Sequence, residues 1–294
     1  MNLWSACQLL FLSSRRLLCP SGDMRVAKVS VKIMRMCGRY TLYHSSNEIV
    51  DRFRTMQVEF DLEQRFNIAP TQLVAVVAEK AEGGEIQRHL EPVKWGLVPF
   101  WVKDITTFKP FFNTRVETIA EKPSFKAAFT RRRCLIPCDG FYEWKKTPDG
   151  KVPMFITLKD NATFGMAGIY ETWSSKDGGD LTTCSIITVP ANNFMSDIHD
   201  RMPAIVRRED EDSWLNPMEV NNETLLRILK PYDDAQMKAH PVSSMVNSVR
   251  NESVRLIEEV TIEQALEKPP SAAKTRASVK KSALPEDTGQ LKLF

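Results

Sequence analysis

Four short stretches hold polar side chains that a packing argument leaves unexplained. The first is Met36-Cys37-Gly38-Arg39, which reads like the opening of a protein although 35 residues precede it. The second, Phe111-Phe112-Asn113-Thr114-Arg115-Val116-Glu117, sets an amide, a cation and a carboxylate at alternate positions behind two aromatic rings. The third runs from Pro137 to Trp144 and places Glu143 between Tyr142 and Trp144 on an expected strand. The fourth is His199-Asp200-Arg201, just before Pro203. A thiol, an imidazole and a carboxylate form a nucleophile, a base and an orienting acid when a fold brings them together. Cys37 has a further option. As a chain terminus it carries a free α-amine beside its thiol; as an internal residue it offers the thiol alone.

Each of these residues also has an ordinary reading. A cysteine beginning a strand is commonly a small buried hydrophobe. Glu143 could face solvent, His199 could be a satisfied structural histidine, and Asn113 with Arg115 could cap a turn and pair with a carboxylate. Arg131-Arg132-Arg133 reads most simply as a solvated basic turn, or else as one side of a phosphate track. Taken singly, none of them assigns a function.

The elements that must position these residues are mostly strands. From Cys37 onward a strand is expected in Cys37–Tyr43, then a helix over 45–56 that opens with a Ser45-x-x-Glu48 capping box. Strands follow at 73–79 and 88–101, separated by a Gly83-Gly84 turn. Segments 134–145 and 153–158 flank a Pro148-Asp149-Gly150 turn, and 163–173 and 182–189 flank Lys176-Asp177-Gly178-Gly179. Further helices are expected at 123–130, 208–215 and 221–230. Hairpins dominate, which predicts an α+β domain of strongly curved antiparallel sheets rather than a parallel βαβ fold.

Composition sets outer bounds. The 294 residues are 43% hydrophobic, enough for a substantial core, and no apolar run reaches the about 18 residues of a membrane span. The formal charge of +3 is unevenly spread: residues 1–35 carry +5 and residues 268–294 carry +4, leaving −6 for the middle. Nucleic-acid binding by the middle therefore needs a local basic groove. Six cysteines form no CxxC pair and no Cys/His ladder, so no metal and no cofactor is expected. The thiols read as mostly buried and inert in a reducing, cytoplasmic protein. In residues 1–35, Arg15 and Arg16 follow the apolar run, the reverse of a secretory signal. That segment is expected to be absent from the active form, with Met24, Met34 and Met36 as alternative starts.

Together, these stretches resemble one family. Met36–Tyr43, "FNIAPTQ", "VKWGLVPFW", "FFNTRVETIAEKPSFK", "CLIPCDGFYEWK", "MAGIYETW", "CSIITVPAN", "DIHDRMPAI" and "HPVSSMVNSVRN" follow in order the motifs of the SRAP family, the SOS-response-associated peptidases that crosslink abasic sites in DNA. The resemblance covers about residues 36–260 and is of bacterial type. It implies a single SRAP-type domain over 36–267, with a barrel-like core flanked by short helices. It also implies catalytic roles for Cys37, Asn113, Glu143 and His199. Arg39, Pro70, Trp95, Trp101, Arg115 and Arg201 fall in segments that form the family's DNA-binding surface. Cys138 departs from the family pattern, where a small alanine is common, and adds an oxidisable thiol near the expected site.

The activity so implied is covalent trapping of abasic sites in single-stranded DNA, including single–double-strand junctions, by a monomeric, nucleoid-associated protein. A terminal cysteine is a 1,2-aminothiol whose amine, with an unperturbed pKa of about 7.7–8.0, is partly neutral at pH 7. That amine can condense with the ring-opened aldehyde, and the thiol can then close a thiazolidine at high effective molarity. Glu143 is the expected general acid/base, with its carboxyl pKa raised between two aromatics. His199 is expected to serve the departing sugar oxygen, Asn113 to orient the amine or sulfur, and Arg39 and Arg115 to hold phosphates. AP-lyase and autoproteolytic activity are expected as companions of the crosslinking; a cysteine peptidase using Cys37, His199 and Glu143 and a non-catalytic single-strand binder remain as alternatives.

After Glu267 the composition turns to Pro, Ser, Ala and Lys with no apolar period, as in a flexible tail. The tail ends in Gln290-Leu291-Lys292-Leu293-Phe294, which resembles the short peptides that dock on bacterial sliding clamps. Gln290, Leu291, Leu293 and Phe294 would be its partner-binding residues.

Overall fold

The computed structural model describes residues 38–56, 62–175 and 178–267. The chain opens with β1 (Tyr40–Leu42), α1 (Ser46–Phe53), β2 (Arg65–Ile68), β3 (Leu73–Glu82), β4 (Glu85–Trp95) and β5 (Asn113–Arg115). Two short helices, α2 (Val116–Ile119) and α3 (Pro123–Arg131), lead into β6 (Arg133–Cys138), β7 (Gly140–Thr147), β8 (Gly150–Leu158), β9 (Phe164–Ser174) and β10 (Asp180–Pro190). The remainder is α4 (Asn193–Ser196), β11 (Arg201–Pro203), β12 (Ile205–Val206), α5 (Glu211–Leu215), α6 (Asn222–Ile228), β13 (Met237–Pro241) and α7 (Ile262–Leu266).

Two sheets result. One is an open five-stranded sheet in the order β13-β8-β7-β1-β2. In the other, β10-β4-β3-β6-β9 run side by side and β9 pairs back onto β10, so the five strands close into a barrel. Closure removes the free edges that an open sheet of this size would expose. The expected barrel-like α+β architecture is therefore present.

The local chemistry explains most boundaries. Ser45 accepts the Glu48 N–H while the Glu48 carboxylate accepts the Ser45 N–H at 2.8 Å, which starts α1 as expected. The Gly83-Gly84 turn joins β3 and β4 in register along their whole length.

Three expectations need correction. The strand expected over 88–101 ends at Trp95, because Gly96 has φ 139° and turns the chain toward Pro110 and Phe112. The strand expected over 134–145 is two strands in different sheets, broken at Asp139. Finally, the sheets are not purely antiparallel, since β10 runs parallel to β4 and β5. Hairpin reasoning sees only neighbours in sequence, and these pairings join strands far apart in the chain.

The break at Asp139 is a designed joint. The Asp139 carboxylate accepts the Tyr43 and His44 N–H groups at 2.6 and 3.2 Å, and its other oxygen meets His44 Nδ1 at 2.8 Å and Thr163 Oγ1 at 2.5 Å. Gly140 follows because a Cβ there would lie 2.3 Å from Phe155 Cζ and 2.8 Å from Thr157 Cγ2. The main core lies inside the barrel and between the two sheets. A smaller cluster of Tyr142, Phe155, Val242, Val246 and Leu256 covers the other face of the open sheet.

Candidate active site

The register of β1 on β7 positions the candidate carboxylate. Tyr40 pairs with Phe141 and Thr41 with Gly140, and the Tyr142 N–H donates to the Arg39 carbonyl at 3.0 Å. Continuing that register by one residue sets Gly38 at the level of Glu143. Strand alternation sends Glu143 to the face that also carries Phe141, a member of the main core. Glu143 is accordingly 2% exposed, so the solvent-facing alternative fails. Its neighbours take the opposite face: Tyr142 donates its hydroxyl to the Phe66 carbonyl at 2.8 Å, and the Trp144 indole donates to Asn247 Oδ1 at 2.8 Å. Cys37 lies outside the described residues.

Arg39 is half-buried and heavily used. Its guanidinium donates to Asn67 Oδ1 at 2.8 Å, to the Val246 carbonyl at 2.6 Å and to the Asn247 carbonyl at 3.2 Å. Asn67, fully buried on β2, donates in turn to the Ser248 and Asn251 carbonyls, each at 2.9 Å. These bonds pin segment 246–251 against β1 and β2. Asn67, Asp139, Asn247 and Asn251 were not singled out in the sequence, though an asparagine inside the apolar run Phe66–Ala69 and an acid between two apolar strands are visible anomalies.

A second group gathers around the C-terminal half of β10. There β5 pairs on one side, with Asn113 opposite Ile186 and Arg115 opposite Thr188, and β11 pairs on the other, with Arg201 opposite Pro190. Asn113 is half-buried and Arg115 is exposed. His199 is largely enclosed, with 9% of its side chain exposed. Its Nδ1 accepts the Arg201 N–H at 3.1 Å and lies 3.0 Å from Asp200 Oδ1.

Trp95 links the two groups. Its ring meets Tyr40 of β1 edge-on at 5.6 Å, and its indole N–H donates to the Phe112 carbonyl at 2.8 Å, next to Asn113. This corrects the expectation that Trp95 lies on a DNA-binding surface: at 1% exposure it cannot stack on a base, and its role is to space the two sheets.

Arg201 needs the same correction. It is 8% exposed, forms a two-pronged ion pair with Glu117 and donates to the Thr188 carbonyl at 2.6 Å. Its fork is committed inside the protein rather than offered to a phosphate. Arg201 in turn holds the Glu117 carboxyl below its usual pKa, chiefly by hydrogen bonding.

The remaining expectations divide. Trp101 is half-exposed and meets Phe108 edge-on at 6.3 Å, while Pro70 is half-buried in the turn after β2. Cys138 is fully buried, and burial pushes its thiol pKa well up, so it is not an accessible oxidisable group. Arg133 is no solvated cation. It is 2% exposed and donates to the Phe129, Thr130, Trp214, Asn216 and Glu219 carbonyls, and burial lowers its pKa to about 10. Gln290, Leu291, Leu293 and Phe294 lie outside the described residues. Among the described residues no group of three or more His, Cys, Asp or Glu side chains is placed to hold a metal, and no helix is long and apolar enough to cross a membrane.

A closed barrel joined through Asp139-Gly140 to an open sheet, with a buried glutamate beside the start of β1, defines a known class. Residues 36–249 match the sequence profile of the SOS response associated peptidase family, SRAP, and the chain belongs to that family. Among its relatives is the abasic site processing protein YoqW of Bacillus subtilis strain 168, 42% identical over 226 residues that make up 76% of this chain and 99% of that protein. The abasic site processing protein HMCES of Rattus norvegicus is 37% identical over 195 residues, 56% of this chain and 55% of that protein. A crystal structure of a Bacteroides thetaiotaomicron protein superposes with a TM-score of 0.66 at 28% identity, covering 76% of this chain and all of that one.

Proposed function

We propose that this protein binds single-stranded DNA and traps abasic sites covalently through Cys37 as the N-terminal residue of the working chain. The observation that carries this reading is the β1–β7 register, which, continued past the Tyr142 N–H to Arg39 carbonyl bond, sets Gly38 at the level of the buried Glu143. Two family facts support it: the profile match begins at residue 36, and both relatives named above are abasic site processing proteins.

The chemistry balances without a cofactor. The Cys37 α-amine adds to the aldehyde of the ring-opened sugar, and the carbinolamine loses water to give an imine. The thiol then adds across the C=N bond, its proton passing to nitrogen, and the thiazolidine closes. Glu143 carries protons for the dehydration and ring opening. His199, held at Nδ1 by the Arg201 N–H and Asp200, serves the departing sugar oxygen. Asn113 orients the nucleophile, and Arg115, exposed and without an ion pair among the described residues, holds a phosphate. Arg39 positions β1 first and has at most a partial share in phosphate contact.

The designation of the family as peptidases favours one companion activity, cleavage between Met36 and Cys37, which would release the amine. Mass spectrometry of the N-terminus in expressed protein tests it: a chain beginning at Cys37 supports release, and a chain retaining residues 1–36 removes it. The tail reading is separate. Deleting the last five residues should abolish retention on an immobilised sliding clamp, and unchanged retention removes that part alone.

A further inference from the structure

Residues 66–72 and 240–251 supply no reacting group to the proposed chemistry, yet the fold brings both to the start of β1. Strand pairing does not hold that start on the β2 side. The β1–β2 ladder reaches Tyr40 opposite Ile68 and can go no further. Pro70 has no N–H to give, and the Ala69 N–H is already donated to Gln72 Oε1 at 2.9 Å. On the β7 side the Tyr142 N–H bonds the Arg39 carbonyl at 3.0 Å, one residue beyond Tyr40. A Cβ built on Gly38 would meet nothing within 4 Å, so no side chain packs against that side of the backbone.

The Arg39 side chain supplies the missing restraint. Its guanidinium is fixed by Asn67 Oδ1 and by the Val246 and Asn247 carbonyls. Asn67 touches both Arg39 and the 246–251 segment: its oxygen accepts from the guanidinium, and Nδ2 donates to the Ser248 and Asn251 carbonyls. The amide fits only one way round. Turned over, it would set Nδ2 against the guanidinium and Oδ1 against two carbonyl oxygens. The segment itself is braced, since Asn251 Nδ2 donates to the Met245 carbonyl at 2.7 Å and Val246 is buried in the smaller core cluster. Glu252 then ties it to β2 by accepting from the Arg65 guanidinium at 3.2 Å and from the Phe66 N–H.

We propose that Asn67 is a positioning residue for the reaction: acting through Arg39, it fixes the start of β1 and so sets the terminal aminothiol against Glu143. The proposal rests on the reading that Cys37 is the reactive terminus. Asn67 is fully buried, and with its oxygen and both amide protons engaged it has nothing left to offer a substrate. It acts on geometry alone. Amine attack and ring closure both depend on alignment, and a misplacement of about 1 Å costs about 10²-fold in rate. An asparagine that only stabilised the fold would instead lower stability, binding and rate together.

The test is the single-turnover rate of adduct formation by the protein beginning at Cys37, at saturating single-stranded oligonucleotide with one abasic site. Asn67→Ala should slow it by about 10–100-fold, with affinity for undamaged strand kept within about threefold. Free glyoxylate also condenses with an aminothiol, losing one water to give a thiazolidine, but needs no alignment by the site. Its rate of reaction with the same terminus should be unchanged. Asn67→Asp keeps an acceptor for Arg39 but sets a carboxylate against two carbonyl oxygens. In thermal melts it should be no more stable than Asn67→Ala, yet it should recover most of the rate. Arg39→Lys removes the guanidinium fork, and adding Asn67→Ala to it should slow the reaction no further. Additive losses, a glyoxylate rate that falls with the adduct rate, or rates that follow melting temperature across the variants would overturn the proposal. Wild-type protein that forms no adduct removes the reading of Cys37. A wild-type adduct, with Asn67→Ala reacting at the wild-type rate, removes the role of Asn67 alone.

Discussion

In the proposed function the chemistry turns on Cys37, and the other cysteines of the domain are its internal controls. Cys134, Cys138 and Cys184 are free and fully buried, and burial raises each thiol pKa well above its ordinary value. In protein beginning at Cys37, a thiol reagent at pH 7.5 should therefore label Cys37 alone under native conditions. All of the remaining thiols should become reactive on unfolding; mass spectrometry of the labelled sites checks this. At Glu143 the account predicts a separation of binding from chemistry. Glu143→Gln keeps the size and buried position of the side chain but cannot carry a proton through its charged form. Adduct formation at saturating DNA should slow by about 10²–10⁴, while affinity for undamaged strand stays within a few fold. An equal loss of both would make Glu143 a structural residue.

At the scale of elements, the joint between the two sheets is the most constrained part of the chain. Gly140→Ala should destabilise the fold by about 1–3 kcal/mol, because its Cβ meets the Phe155 ring and Thr157 at distances that require both to move; denaturant melts measure this. The Glu117–Arg201 pair makes a pH-dependent contribution with a definite sign. The Glu117 carboxyl is held below its unfolded value, so its stabilisation is present above pH ~4.3 and is lost as pH falls through the lower folded value. Glu117 is nearly half-exposed, so the effect is a fraction of that of a buried pair. Glu117→Gln should flatten the fall in melting temperature between pH 5 and about pH 3, and an unchanged acid limb would contradict the assignment.

Much of this level was legible beforehand. The capping box, the Gly83-Gly84 hairpin and the α3 boundaries follow from local propensity, and they form as expected. The split at Asp139, the parallel pairings of β10 and the burial of Trp95 and Arg201 do not follow. Each depends on partners that arrive from distant parts of the chain, and a run such as Cys134–Lys145 has the same strand pattern whether it lies in one sheet or two. The candidate site was legible only as residue types in order, because motif spacing survives without knowledge of burial. Which of those residues touch solvent was not, since an arginine that meets a glutamate across β10 looks in sequence like one free to meet a phosphate.

For the whole molecule, the barrel and the open sheet form a frame that carries the buried Glu143 carboxylate, the enclosed His199 imidazole and the exposed Phe100 and Trp101. In this account the remaining variable is where the working chain begins. The most direct measurement compares the 294-residue chain, the chain beginning at Cys37 and its Cys37→Ser variant on a single-stranded oligonucleotide with one abasic site. Products are resolved by denaturing electrophoresis after heating, and the adduct mass is determined. The account predicts a heat-stable adduct, at a mass one water below the sum of protein and DNA, for the chain beginning at Cys37 alone. A heat-stable adduct of equal yield from Cys37→Ser, or from a chain shown to retain residues 1–36, would contradict it.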